Sequence, residues 1–326
     1  MPPVAAAAAG AACISSSAVL MRLADTSPSI TALGRCGLAL PVLGALAWAE
    51  RRRGTPRLPS RSRWLARLAG LFLAGDLITW SHSIDAIGAG LGTVVPNLQV
   101  IIIALLAWLF LGERPRRSLV LASPIMVAGL VLVGGLAGVG GSRAYGSDPA
   151  LGVALGAAVA VIYAVYILTL RQATSSLGPR PAVAAVLFEA TAGATVASAV
   201  LGLVLNDYRL GSAPWSALGW LALLALTSQV IGWLLITRSM PRLPAWMIGA
   251  VLLIQPAGAV GLSYLILGER PSGIQLAGVA LVLAGVLVAV GGASPRASQA
   301  VSSRRSTRTI RQASAASTAT SPSKSP

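Results

Sequence analysis

The sequence contains very little lysine and histidine, and this scarcity argues against several kinds of enzyme. Its 326 residues include one histidine, His82, and one lysine, Lys324, close to the C-terminal end. A P-loop requires a lysine after its glycine-rich turn, and an HExxH zinc site requires two histidines. GxSxG and GxGxxG motifs are also absent, which disfavours α/β-hydrolases and dinucleotide enzymes. We therefore predict no enzymatic activity, no cofactor and no metal site.

Cysteine is also scarce. Cys13 and Cys36 both lie in apolar stretches, so they indicate neither a disulfide framework nor a zinc site, and we expect both to be buried. One enzyme interpretation stays open, an intramembrane serine hydrolase that uses His82. A covalent adduct with a serine-reactive probe would support it.

Charged residues are the third deficiency. They make up 10% of the chain, against about 25% in typical soluble proteins. Hydrophobic residues make up 55%, and 35 residues are glycine. So little polar material cannot cover the surface of a soluble body of this size, which indicates that a membrane covers it.

Ten apolar windows fill most of the chain, each about 20 residues long, the length that crosses roughly 30 Å of hydrocarbon. They are residues 4–24, 29–49, 67–86, 89–111, 118–138, 150–170, 182–204, 215–236, 245–267 and 274–292. The sequence therefore predicts an all-α membrane protein with ten transmembrane helices.

The two ends of the chain differ from these windows. Residues 293–326 carry Ser, Thr, Ala and Arg with almost no large apolar residues, so they are expected to form a disordered tail. The alanine run at the start is similar to a signal peptide, but it lacks the positively charged region that precedes such a stretch. We keep it as the first span, and a true start further along the chain stays open.

Basic residues are distributed very unevenly between the two sides of the membrane. With the N-terminus in the cytoplasm, 20 Arg and Lys residues fall on the cytoplasmic side and 5 on the other, the latter being Arg22, Arg35, Arg143, Arg209 and Arg270. Cytoplasmic loops carry the excess of positive charge in membrane proteins. The count predicts that both termini lie inside.

An internal repeat relates the two halves of the sequence. LGERP occurs at 111–115 and again at 267–271, an offset of 156 residues, and a similar offset relates DLITW at 76–80 to QVIGW at 229–233. Five spans per copy is an odd number, so the second copy must enter the membrane from the opposite side. Inverted repeats are typical of secondary transporters. We divide the chain into a first repeat at 1–138, a connecting loop at 139–149, a second repeat at 150–292 and the tail at 293–326.

The two halves, each with LGERP ending the fourth span and an Ala-Gly step in the fifth, resemble the EamA-type family of the drug/metabolite transporter superfamily over roughly residues 12–292. The resemblance implies an exporter or permease for small metabolites. It also implies that helices 1–4 and 6–9 line a central cavity while helices 5 and 10 pack outside. Gln255 is followed by the expected proline, whereas Gln99 is followed by Val100, so helix 4 is expected to bend at a different height from helix 9.

Polar side chains inside the spans are the candidates for the substrate and ion pathway. A charged group costs about 2.5–3.5 kcal/mol in hydrocarbon, so it persists mainly where it faces a cavity or a partner. Asp76 leads, because Thr79, Trp80 and Ser83 follow at helical spacing and share its face. His82 lies at the edge of that face. The alternative for Asp76 is structural pairing with a polar group on a neighbouring helix.

Other candidates lie on the remaining spans. They are Asn97, Gln99, Tyr163, Glu189, Gln229, Trp233 and Gln255. Asn97 and Gln99 are two residues apart, so helical spacing predicts that at most one points straight into the cavity. Gln229 is the uncharged repeat counterpart of Asp76. Glu189 has small residues on its face, which leave room for water or for a close helix.

Several of these candidates also have a structural interpretation. Gln99 and Gln255 are repeat-equivalent. This equivalence favours a structural hydrogen bond between the two side chains as much as it favours contact with a ligand. Tyr163 is more typical of packing. Glu113 and Glu269 each stand just before a helix, where an acid complements the unsatisfied N–H groups, so we leave both out of the site.

The sequence as a whole predicts a secondary active transporter of a small organic metabolite, working by alternating access and driven by protons. Its location is the bacterial inner (plasma) membrane, and its partners are the substrate, protons and membrane lipid. Nucleic acid is not expected, and a homodimer stays open. The alternative is a non-transporting membrane scaffold or regulator that uses its basic loops and tail. Substrate-dependent flux in proteoliposomes separates the two.

The charge asymmetry generates a topology prediction. Ser147 should lie outside and Ser60 inside, because basic loops stay in the cytoplasm. A membrane-impermeant thiol reagent applied to whole cells should therefore label a cysteine introduced at 147 and not one at 60. Labelling of position 60 alone would reverse the orientation.

A second prediction concerns the tail. Removing residues 297–326 should leave membrane insertion and transport nearly intact, because the segment has no acid and no apolar face with which to pack. Its basic groups attract anionic lipid by about 1 kcal/mol each near the surface. Loss of folded protein after truncation, measured by size-exclusion chromatography, would contradict the assignment as disordered.

Overall fold

Helices form every regular element in the described part of the chain. The computed structural model describes residues 2–111, 117–133, 148–175, 177, 182–208, 215–239, 243, 251–252 and 254–291, and no strand occurs in them. The all-α prediction is confirmed there. Glu113, Ser147, most of the 139–149 connector and the 293–326 tail lie outside the described residues.

The first half of the chain contains seven described α-helices and one 3₁₀ turn. They are α1 (Pro3–Ser15), α2 (Ser17–Ala24), α3 (Pro28–Arg52), α4 (Ser60–Ile87), α5 (Ala89–Val94), the 3₁₀ turn Val95–Leu98, α6 (Gln99–Leu111) and α7 (Arg117–Val133). Prolines begin α1 and α3, where a missing N–H removes no helical bond.

The second half contains six described α-helices and two π-helical segments. They are α8 (Pro149–Ser175), α9 (Val183–Val204), α10 (Trp215–Leu224), the π segment Ala225–Gly232, α11 (Trp233–Ser239), α12 (Ile254–Leu262), the π segment Ser263–Leu267 and α13 (Gly273–Gly291). The π segments widen the helix locally, and such widenings are frequent at functional sites.

Five of the helical stretches are long and apolar enough to cross a membrane. They are Pro3–Ala24, Pro28–Arg52, Ala150–Thr174, Val183–Val204 and Trp215–Ser239. Shorter apolar helices lie at Val120–Gly129, Ile254–Leu267 and Gly273–Gly285. The count of ten spans stays a prediction.

The predicted span at 89–111 is not one continuous helix, because Pro96 interrupts it. Proline has no N–H to donate to the carbonyl four residues earlier, which is that of Gly92. Trp80 Nε1 on α4 donates to this free carbonyl oxygen over 3.1 Å. The break at Val95–Leu98 and the position of the Trp80 ring are therefore consequences of the same proline.

Two repeat-equivalent helices, α7 and α13, pack against each other in opposite directions. A Cβ on Gly129 would lie 2.7 Å from the carbonyl oxygen of Gly278 and 2.8 Å from Val282, and a Cβ on Gly285 would contact Met126 and the carbonyl of Ala122. The offset of 156 residues converts one set of contacts into the other. Equivalent helices that meet antiparallel, with their contacts exchanged in this way, are the packing expected of an inverted repeat.

Carboxylates at helix ends join the two halves. Glu50, near the end of α3, accepts hydrogen bonds from Ala184 N at 3.1 Å, at the start of α9. Reciprocally, Asp207 after α9 accepts one from Ser29 N at the start of α3, over 3.0 Å. Each acid complements the unsatisfied N–H groups of a helix in the other half.

Glu269 has the same kind of role. It accepts a 2.9 Å hydrogen bond from Ala89 N, so it serves the start of α5 in the first half. The sequence pattern indicated that Glu269 would serve the helix that follows it. Gly88, with a φ of 93° that favours glycine, precedes α5 and lies against the Glu269 carboxylate.

The close packing of α7 and α13 predicts that Gly129→Ala destabilises the protein. The added methyl would press on the Gly278 backbone, and overpacking of this kind costs about 1–3 kcal/mol. Gly261→Ala on α12 is the matched control, since a Cβ there meets nothing within 4 Å. Thermal unfolding of the purified variants should show a lowered Tm for the first and an unchanged or raised Tm for the second. Equal Tm values would contradict the packing.

Candidate functional site

A cavity lies between the two halves, with about 70 Å³ of space for the centres of water-sized molecules. Its walls come from both repeats, and among the described residues neither α7 nor α13 contributes to them. The lining residues are Ile14, Arg35, Leu73, Asp76, Leu77, Trp80, Thr93, Pro96, Asn97, Gln99, Val159, Tyr163, Trp233 and Gln255.

Asp76 is the acidic group of this cavity. It lies on the buried face of α4, is 4% exposed and borders the cavity together with Leu73 and Leu77. Its Oδ1 atom has no hydrogen-bond partner among the described residues. A buried carboxylate oxygen without a hydrogen bond destabilises the fold. Structural pairing through Oδ1 therefore does not explain why Asp76 is buried.

Arg35 is the basic group of the cavity. The charge count assigned it to the side opposite the cytoplasm, whereas the residue is 3% exposed and lies seven residues inside α3. Its Nε donates to Gln229 Oε1 over 3.1 Å, and Gln229 Nε2 donates to Thr191 Oγ1 over 3.1 Å. A chain of hydrogen bonds thus fixes the guanidinium to the second half.

The two opposite charges border one cavity without forming a direct ion pair. Asp76 Oδ1 and the Nη1 atom of Arg35 both lack a partner in the described part of the chain. Buried charges are stable mainly when paired and hydrogen-bonded. The arrangement leaves one buried donor and one buried acceptor without a hydrogen-bond partner among the described residues.

Aromatic rings form one wall of the cavity. Tyr163 and Trp233 both border it, their ring centroids lie 6.2 Å apart, and Tyr166 stands edge-on to Trp233 at 5.2 Å. Trp80 borders the cavity as well. Such rings offer flat apolar surface, and their faces also attract cations.

Amide side chains provide further polar groups. Asn97 and Gln99 both border the cavity, and Asn97 belongs to the 3₁₀ turn Val95–Leu98. The Asn97 amide nitrogen donates to the carbonyl oxygens of Thr93 and Val94, so it is held to its own turn. That at most one of the two side chains points straight into the cavity stays a prediction. Gln99 Oε1 and Gln255 Nε2 have no hydrogen-bond partner in the described ranges, so these atoms do not make the bond between repeats that the sequence left open.

Five sequence-predicted residues do not line the cavity. Gln229 lies behind it and holds Arg35. Thr79 is half-buried outside the lining and His82 is exposed. Ser83 is buried and donates to the carbonyl of Gly152 on α8 over 2.8 Å. The fifth is Glu189.

Glu189 lies away from the cavity in a cluster with two arginines. Its carboxylate lies 2.8 Å from Arg67 Nε and 3.5 Å from Arg63 Nε, both on α4. The small residues on its helix face bring α4 close, since a Cβ on Gly193 would lie 2.7 Å from the carbonyl of Arg67. The structure therefore places Glu189 as an ion-pair partner between α9 and α4.

Sequence reasoning missed Arg35, Thr93 and Thr191. An arginine within the predicted span at 29–49 was a signal for Arg35, because a charge inside a span is itself unusual. Thr93 and Thr191 gave no signal, since threonines are common on helices that pack in membranes.

Comparison with known proteins decides the family. The sequence profile of the EamA-like transporter family matches residues 1–135 and 150–291. The chain belongs to the EamA-like transporter family. This chain is thus an integral membrane protein built from two repeats, and its family consists of transporters rather than enzymes.

The other comparisons concern the fold. One crystal structure has a similar fold. The match covers 88% of the EamA-like chain described here and 96% of the chain in that crystal structure, with a TM-score of 0.57 and 21% sequence identity. At that identity the likeness shows the fold alone. No curated protein matches the sequence.

Proposed function

We propose that this EamA-like protein is a secondary active transporter that moves a small organic metabolite by alternating access. The observation that carries the proposal is the cavity between the halves, with two buried charges that no described residue pairs. Substrate sites of secondary transporters lie at such repeat interfaces. The proposed topology has ten spans, with both termini on the cytoplasmic side of the bacterial inner membrane.

The placement of the cavity supports alternating access. Its charged and aromatic groups come from both halves, with Arg35 and Asp76 from the first and Tyr163 and Trp233 from the second. Rocking of one half against the other changes which side of the membrane such a cavity faces. The cross-half bonds of Glu50, Asp207 and Glu269 are the contacts that this rocking would exchange.

Protons are the proposed coupling ion, and Asp76 is the proposed carrier. A carboxylate buried near the middle of a span is penalised in its charged form, so its protonation depends on which side the cavity faces. Loading on one side and release on the other links proton movement to substrate movement. Gln229, at the equivalent place in the second repeat, cannot titrate, so we assign the coupling to the first half.

The rival function, a membrane scaffold or regulator, leaves the cavity without a purpose. Basic loops would suffice for a scaffold, and unpaired buried charges would only reduce its stability. Comparing the metabolites retained by cells with and without the protein would identify substrate candidates. Flux of those compounds into proteoliposomes, present with the protein and absent from empty liposomes, tests the proposal; binding of lipid or protein partners without any flux would favour the scaffold.

The coupling role predicts the behaviour of Asp76→Asn. This variant should lose gradient-driven accumulation by at least about tenfold, because an amide cannot carry the proton, while exchange of substrate across the membrane remains measurable. Accumulation and exchange are measured in proteoliposomes with and without an imposed pH gradient.

Glu189→Gln is the matched control for this experiment. It also replaces a carboxylate by an amide, but at the ion-pair cluster with Arg63 and Arg67, where partly exposed pairs contribute about 0–1 kcal/mol. We expect near-normal accumulation. Normal accumulation by Asp76→Asn together with its loss in Glu189→Gln would transfer the coupling role to Glu189.

A further inference from the structure

We infer that Arg35 is the anchor for an anionic group, a carboxylate or a phosphate-like group, on the molecule that enters the cavity. The inference rests on the proposed function for its physiological meaning and adds to it a residue that fixes charge selectivity. It starts from the two ends of the guanidinium, one bound and one open.

The bound end holds the guanidinium in a fixed orientation. Arg35 Nε donates to Gln229 Oε1, and the amide nitrogen of Gln229 donates to Thr191 Oγ1. Gln229 lies in the π segment Ala225–Gly232, and it is 1% exposed. A planar group whose orientation is set by a second side chain loses little freedom when a ligand binds.

The open end belongs to a residue that borders the cavity. Nη1 of Arg35 is buried and lacks a hydrogen-bond partner among the residues described, and Arg35 is part of the cavity lining. An unsatisfied charged donor in a site shielded from water is costly until an acceptor reaches it. A carboxylate or phosphate oxygen is the acceptor that the guanidinium geometry fits best.

Asp76 does not fill this role. It borders the same cavity, yet neither its Oδ1 atom nor the Nη1 atom of Arg35 has a partner. A neutral ligand offers the guanidinium a weaker hydrogen-bond acceptor, whereas an anionic one supplies a charged oxygen that can reach it directly. The cavity should therefore prefer anions over neutral molecules of the same shape.

Three aromatic probes of similar size test this preference. Benzoate carries a carboxylate, phenylphosphonate a phosphate-like group and benzamide no charge, and the ring of each suits the wall formed by Tyr163 and Trp233. Binding to the purified full-length protein is measured by ligand-observed NMR titration. At least one anion should bind about tenfold more tightly than benzamide, as expected for a hydrogen bond to a charged group.

Arg35→Gln should abolish this preference, bringing anion and amide to within about twofold. Arg22→Gln is the matched control, because Arg22 lies outside the cavity and pairs with Asp85 at 3.3 Å on an exposed surface; it should keep the preference. The better of the two anions identifies the head group. Equal binding of all three probes to the unaltered protein, failure of both anions to bind, or a preference that persists in Arg35→Gln would each overturn the inference.

A second comparison covers the case in which Arg35→Gln does not fold, since it leaves Asp76 without an opposite charge nearby. Asp76→Asn is then compared with the double variant Arg35→Gln/Asp76→Asn, whose cavity is uncharged, and the preference should be lost only in the double variant.

Binding and flux separate the two proposals. Arg35-dependent anion binding without any flux would leave the anchor and reject transport, whereas flux without anion preference would reject the anchor alone.

Discussion

A charge inside hydrocarbon needs a partner or a cavity, and this constraint organises the described part of the molecule. Four acids accept hydrogen bonds from backbone N–H groups at the starts of helices. Asp148 accepts one from Leu151 N at the start of its own helix. Glu50, Asp207 and Glu269 accept theirs from helices of the opposite half. Glu189 and Asp85 meet the constraint through arginines. Asp76 and Arg35 are buried, form no direct ion pair with a described residue, and both border the cavity.

The repeat explains much of the framework, and its asymmetry explains the site. Packing of α7 on α13 and the reciprocal bonds of Glu50 and Asp207 follow from two similar halves that meet in opposite directions. At the centre the halves differ, since Asp76 is matched by Gln229. The neutral amide can accept from Arg35 and donate to Thr191 at once, which a carboxylate in its place could not do.

Local irregularities set the shape of the cavity. Pro96 frees the Gly92 carbonyl that Trp80 binds, and the π segment carries Gln229 to Arg35. Both depart from the α-helical period on which spacing arguments depend. Spacing along an α-helix selected Asp76 and Trp80, which border the cavity, but it could not foresee that Gln229 lies behind the cavity and holds Arg35.

The sequence by itself determined the membrane environment, the helical class and the repeat, because each depends on composition or on matches within one chain. It also singled out Asp76, since an acid near the middle of an apolar span is conspicuous. Only the tertiary structure decided which polar residues meet. Arg35, Gln229 and Thr191 are separated by up to 194 residues, and no local pattern records which helices become neighbours. Glu189 illustrates the same limit of sequence analysis. Its position within an apolar span is similar to that of Asp76, but the close approach of α4 provides Arg67 as its ion-pair partner.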